Sequence, residues 1–175
     1  MRWKSDGDRY GAVAIAMHWL TAAAILALLG SGLVMADVEE PGAKTPILMF
    51  HAFTGLATGL LTVLRLLWWF VADDRPAHVA MPRWQAMAAS IVHGLFYVLI
   101  LAMVASGVAM IILSGAGEVI ITGQGALPNF NLYAPRQPHG IGAWVMITLV
   151  IVHVGAALYH HFVLRDGLIG RMAGR

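Results

Sequence analysis

The chain reads as an all-α integral membrane protein, a four-helix bundle with N- and C-termini cytoplasmic, and three observations lead there. Of its 175 residues 59% are hydrophobic and only 11% charged, against roughly a quarter charged in soluble domains. Four stretches carry no Asp, Glu, Lys or Arg: Gly11 to Ala36, Thr45 to Leu64, Trp84 to Gly117 and Gln137 to Leu164. Each covers the about 20 residues of helix that cross a bilayer core. The 11 Lys and Arg are also one-sided. With the N-terminus inside, Arg2, Lys4, Arg9, Arg65, Arg75, Arg83, Arg165, Arg171 and Arg175 lie on the cytoplasmic face, leaving only Lys44 and Arg136 outside. That bias sets the orientation of spanning helices, so the pI near 9.3 marks membrane anchors and no nucleic-acid surface.

A single membrane domain, 1–175, is expected. Its first span, about 10–35, follows basic residues as a signal peptide would, but it is longer than an h-region of about 7–15 residues and no A-x-A-like site follows. The segment "ADVEEPGAKTP" is a short outer loop. The second span, 46–69, opens at Pro46, where proline is tolerated in a first turn, and closes on the interfacial Trp68 and Trp69. An inner loop with two prolines and His78 precedes the third span, 85–114. The stretch "GAGEVIITGQGALPNFNLYAPRQP" is then a long outer loop of the kind that is functional or packed over a site. The fourth span, 138–163, ends before a basic tail. No tandem repeat is evident. "GSG" and "GQG" lack the strand–helix context of a phosphate loop, and Gly30, Gly32, Gly55, Gly59, Gly107, Gly142 and Gly155 are read as points of close helix approach.

The absence of cysteine excludes disulfides, thiolate ligands, iron–sulfur clusters and covalently attached c-type haem. Histidine is the residue that stands out. Ionisable side chains within a membrane face the bundle interior and mark function, and seven of the eight histidines sit in or beside the spans. Depth sorts them: His51 and His139 toward the outer leaflet, and His18, His93, His153, His160 and His161 toward the inner. Fourteen residues separate His139 from His153, about 3.9 turns and about 21 Å of rise, so they share a helix face at two depths. They cannot bind one ion, and a zinc site would need four converging ligands that neither depth supplies.

Two porphyrins stacked across the membrane suit the pattern, one iron between His51 and His139 and the other between His18 and His153. His160 is an alternative to His153 by angle, but it would set the irons about 31 Å apart, nearly the full hydrocarbon thickness. Hydrogen-bonded core histidines are the competing reading, and it is preferred for His161. His93, His160 and Arg65 are candidates for haem propionate or quinone contacts, although Arg65 can equally snorkel. Iron with two imidazoles has no open position, which directs it to outer-sphere electron transfer.

The motifs "RYGAVAIAMHWLTAAAI", "HAFTGLATGLLTVLRLLWWF", "MPRWQAMAASIVHGLFYVLILAMVASGVAMI", "LPNFN" and "HHFVLRDGLIGRM", in this order from about Arg9 to Met172, resemble the bacterial cytochrome b561 family. The resemblance implies four membrane helices in the bacterial inner membrane and two haem b groups. Its ligands fall on His18 in "MHWL", His51 in "FHAFTG", His139 in "PHGIG" and His153 in "VHVG". It further implies electron exchange with ubiquinone and, as in superoxide oxidases of the family, oxidation of superoxide at the periplasmic side. The outer loops carry Asp37, Glu39, Glu40 and Glu118 against Lys44 and Arg136, a weak field for an anion, with Arg136 a local attractive spot beside His139. An acidic outer face also suits an electron carrier that docks a basic periplasmic redox protein, the alternative expectation.

Overall fold

The computed structural model describes residues 2–7, 9–74, 76 and 81–174; Arg75, His78 and Arg175 lie outside them. All regular structure among the described residues is helical. Four helices are long and apolar enough to cross a membrane: α1 (Ala12–Asp37), α2 (Pro41–Leu67) with a wider π turn at Trp68–Ala72, α3 (Arg83–Ser114), and α5 (Arg136–Tyr159) with a π turn at His160–Leu164. The short helices α4 (Gly117–Thr122) and α6 (Leu168–Met172) complete the chain. The main packing pairs are α1 with α2, α3 with α5, and α2 with α3. Trp19 Nε1 donates to the carbonyl of Met172 at 2.8 Å, so the chain begins and finishes at one end of the bundle, here the terminal end. The α1–α2 turn and α4 form the other, the loop end.

Two features differ from the sequence expectation, for local reasons. The second span starts at Pro41, five residues before Pro46, because Glu40 caps it, accepting from the N–H groups of Gly42 and Ala43 while Pro41 needs no donor partner. The long loop is not wholly irregular. Gly115 (φ 69°) and Gly123 (φ 71°) supply left-handed residues that a side chain would disfavour, and between them α4 buries Val119 and Ile120 against α2.

The apolar core is small. Ile25, Ile100 and Met146, from α1, α3 and α5, meet at mid-bundle with Leu29, Phe96, Leu99, Val104 and Val150 around them. On α2 the buried Thr58 and Thr62 satisfy their hydroxyls on carbonyls one turn back. A methyl group at Gly59 would stand 3.1 Å from the Val104 side chain, so α2 and α3 approach closely there. Gly30 and Gly155, by contrast, face nothing within 4 Å and are not packing points. Most remaining large apolar side chains, such as Leu26, Leu60, Val98 and Ile151, are exposed, as spanning helices in lipid require.

Candidate functional site

At the loop end His51 on α2 faces His139 on α5, ring centres 6.2 Å apart and planes at 62°. Each is held by the neighbouring helix. Ser31 on α1 donates its hydroxyl to the carbonyl of Leu28 (3.1 Å) and lies 2.8 Å from His51 Nδ1. Ser106 on α3 donates to Met103 (3.0 Å) and lies 2.9 Å from His139 Nδ1. With the hydroxyl proton on the carbonyl, the serine oxygen accepts from Nδ1–H, the tautomer that leaves Nε2 as a free lone pair. The next residue is glycine in both cases: a methyl group on Gly32 or Gly107 would stand 3.5 Å from the Cε1 of His51 or His139. Arg136 opens α5 with its guanidinium folded back over Gly140, one residue beyond His139.

At the terminal end His18 on α1 lies 6.2 Å from His153 on α5, planes at 58°, which repeats the loop-end spacing. His93 on α3 stands edge-on to His153 at 5.3 Å, with its Nδ1 donating to the carbonyl of Ala89 at 2.6 Å. Arg65 is near enough to act on both His18 and His153. It lies over the Tyr97 ring, Cζ 5.8 Å from the centroid, and its buried Nε has no hydrogen-bond partner among the described residues. His160 is taken up elsewhere, donating from Nδ1 to Asp166 Oδ2 at 2.5 Å. His161 lies on the exposed side against Phe162.

Two imidazoles bonded to one metal at about 2.0–2.1 Å, each ring centre about 1.1 Å behind its nitrogen, have centroids about 6 Å apart. Both 6.2 Å pairs meet that requirement, and the 5.3 Å contact of His93 is too short for it. Among the described residues no three of His, Cys, Asp and Glu converge as ligands for a bare ion, so each pair suits a flat metal complex that brings its own equatorial ligands. The two levels stand about 20 Å apart along α1, from His18 to Ser31, with Ile25, Ile100 and Met146 between them.

The serine–glycine supports were not singled out in the sequence, though a signal exists. His18 precedes Ser31–Gly32 by the same number of residues as His93 precedes Ser106–Gly107, and Arg65 follows His51 at the spacing by which His153 follows His139. The two halves of the chain thus share these spacings, and Arg65 occupies the place matching His153.

The His160–Asp166 pair closes the π turn of α5. Burial works against the Asp166 charge, but the hydrogen bonds from His160 and from the Leu168 N–H outweigh it and hold the carboxyl below its ordinary range. A lowered folded value means stability that is present above the unfolded value of about 4 and lost as pH falls through the folded one. Asp166→Asn is therefore expected to cost on the order of 1–2 kcal/mol near neutral pH and progressively less as pH falls through the folded value, read as unfolding midpoints across an acid series.

Four spanning helices with imidazoles paired at two depths define a membrane electron-transfer cytochrome. The chain belongs to the prokaryotic cytochrome b561 family, whose profile matches residues 9–175. It is similar to cytochrome b561 homolog 1 of Escherichia coli (strain K12), 27% identical over 174 residues covering 96% of this chain and 98% of that one. Cytochrome b561 homolog 2 of the same organism is 27% identical over 187 residues, covering 100% of this chain and 96% of that one. A Yersinia pestis protein named probable superoxide oxidase CybB is 25% identical over 171 residues, 94% of this chain and 95% of its own. The protein is accordingly a multi-pass protein of the bacterial inner membrane that binds haem b.

Proposed function

We propose that the protein oxidises superoxide at its loop end and reduces ubiquinone, using two haem b groups, one between His51 and His139 and one between His18 and His153, with the terminal end in the cytoplasm. The observation that carries this reading is the pair of equal 6.2 Å imidazole separations, one at each depth. The Nε of Arg65, without a partner among the described residues, adds to it, since a propionate would take that donor. Iron held by two imidazoles supplies one-electron transfer without an open coordination position.

Around that chemistry the residues have separate tasks. Ser31 and Ser106 hold Nδ1 of His51 and His139 and so leave Nε2 of each for the iron. Ile25, Ile100 and Met146 keep the middle of the bundle dry. Arg136 supplies a positive spot for an anion beside His139, while His93 packs edge-on against His153, and ubiquinone is placed at the terminal end near His93 and His160. In balance, two superoxide ions give one electron each and leave as dioxygen, and one ubiquinone takes both electrons with two protons. The relative named as a probable superoxide oxidase supports the choice of donor.

Purified protein with a short-chain ubiquinone is expected to reduce its haem and form ubiquinol when superoxide is generated, with no protein added, and superoxide dismutase should abolish this. The acidic loops, with Asp37, Glu39, Glu40 and Glu118, favour one rival, an electron carrier for a basic periplasmic redox protein. Haem that ignores superoxide but is reduced by such a partner would select it.

Ser106→Ala and Ser31→Ala are each expected to keep both haems and change one potential. Losing the acceptor for Nδ1–H makes the imidazole a weaker electron donor, so the loop-end midpoint should rise by roughly tens of millivolts, on a scale where 59 mV is tenfold. Threonine at either position should restore most of the shift in a redox titration.

A further inference from the structure

The terminal end carries a cleft of about 260 Å³ lined by Arg2, Lys4, Asp6, Arg9, Tyr10 and Arg171, and it is built from both ends of the chain. Residues 2–7 and 9–11 do not trail away from α1. The buried carboxylate of Asp73 accepts from the Ser5 N–H (2.9 Å), the Ser5 hydroxyl (2.8 Å) and Trp68 Nε1 (3.0 Å). Ser5 Oγ in turn accepts from the Gly11 N–H (3.0 Å), and the carbonyl of Arg2 accepts from the Ala12 N–H (2.9 Å). From the other end α6 folds back so that Met172 receives the Trp19 hydrogen bond and the Arg171 guanidinium sits 5.8 Å from the Tyr10 ring centre.

Among the described residues, Arg2, Lys4, Arg9 and Arg171 surround one hollow together with Asp6. Asp6 is engaged with Arg2 (3.5 Å) and the Arg9 N–H (2.8 Å). Orientation in the membrane requires basic residues on one side, as Arg83 and Arg165 also provide; it does not require them to converge. Lys4 and Arg9 converge there with Arg2 and Arg171, which favours an anion in the hollow, and the cleft stands beside the first turn of a spanning helix, at the level of lipid headgroups. Basic pockets at such positions hold anionic headgroups, and guanidinium groups match a phosphate's oxygens. We propose that this cleft binds the phosphate of an anionic phospholipid headgroup, and that the lipid ties the N-terminal segment to α6.

The test uses the full-length protein in neutral detergent, titrated separately with short-chain phosphatidylglycerol, phosphatidylcholine and inorganic phosphate, with binding followed by the unfolding midpoint and by native mass spectrometry. Phosphatidylglycerol should bind and raise the midpoint far more than phosphatidylcholine. Arg9→Gln with Arg171→Gln should weaken its binding roughly twenty-fivefold, at about fivefold per charge. The charge-matched pair Arg83→Gln with Arg165→Gln, at the same end but outside the cleft, should change it by less than about twofold. Should the first double variant not fold, the exposed Lys4→Gln alone should cost about fivefold. Equal loss in both double variants, or equal binding of the two lipids, overturns the site; inorganic phosphate that binds as tightly as phosphatidylglycerol overturns the lipid assignment in favour of a soluble anion.

Discussion

Replacing His139 by alanine is expected to leave one haem per chain in place of two, and His51→Ala should remove the same one. The two rings meet across the α2–α5 interface at 6.2 Å, and among the described residues neither has a second imidazole against it to take over. His18→Ala and His153→Ala should instead each remove the terminal-end haem, so that the four variants fall into two spectroscopic pairs. His93→Ala and His160→Ala should retain both haems, because His93 is too near His153 to share its metal and His160 is bonded to Asp166. Pyridine extraction and the reduced spectrum of each variant provide the measurement. If His160→Ala lost a haem while His153→Ala kept both, the terminal-end pairing would be wrong.

The second large effect is expected from Gly107→Val. A first carbon at Gly107 already stands 3.5 Å from His139 Cε1, an ordinary contact, and the further methyl groups of valine would drive into the ring that Ser106 holds. Gly107→Ala should therefore be tolerated. Gly107→Val should lose the loop-end haem and keep the other, with the helices intact by circular dichroism. Gly32→Val should do the same through His51. Loss of both haems together would point to general unfolding in place of a blocked cradle.

Much of this architecture is legible without coordinates, and the reasons are physical. Spans announce themselves because a fixed charge in hydrocarbon is costly, so uncharged stretches located α1, α2, α3 and α5 closely. Histidine depth followed from helix rise alone. Three features were hidden. The earlier start of α2 depends on a Glu40 cap, which is a hydrogen-bond geometry and not a hydropathy signal. Ser31–Gly32 and Ser106–Gly107 resemble ordinary small-residue packing sites, and their meaning depends on how α1 and α3 register against α2 and α5. Their shared role is masked because Ser31 and His51 are 20 residues apart whereas Ser106 and His139 are 33 apart, the long α4-bearing loop making the difference. The edge-on place of His93 is likewise a matter of helix rotation, on which a single sequence is silent.

The most direct test of a cytochrome with two haems across the membrane is the haem count per chain of the purified protein, together with its oxidised and dithionite-reduced spectra. Two haem b per chain with a sharp low-spin reduced α band is the expected result. One haem per chain, or a high-spin spectrum, would contradict the paired imidazoles at two depths on which the proposed electron path depends.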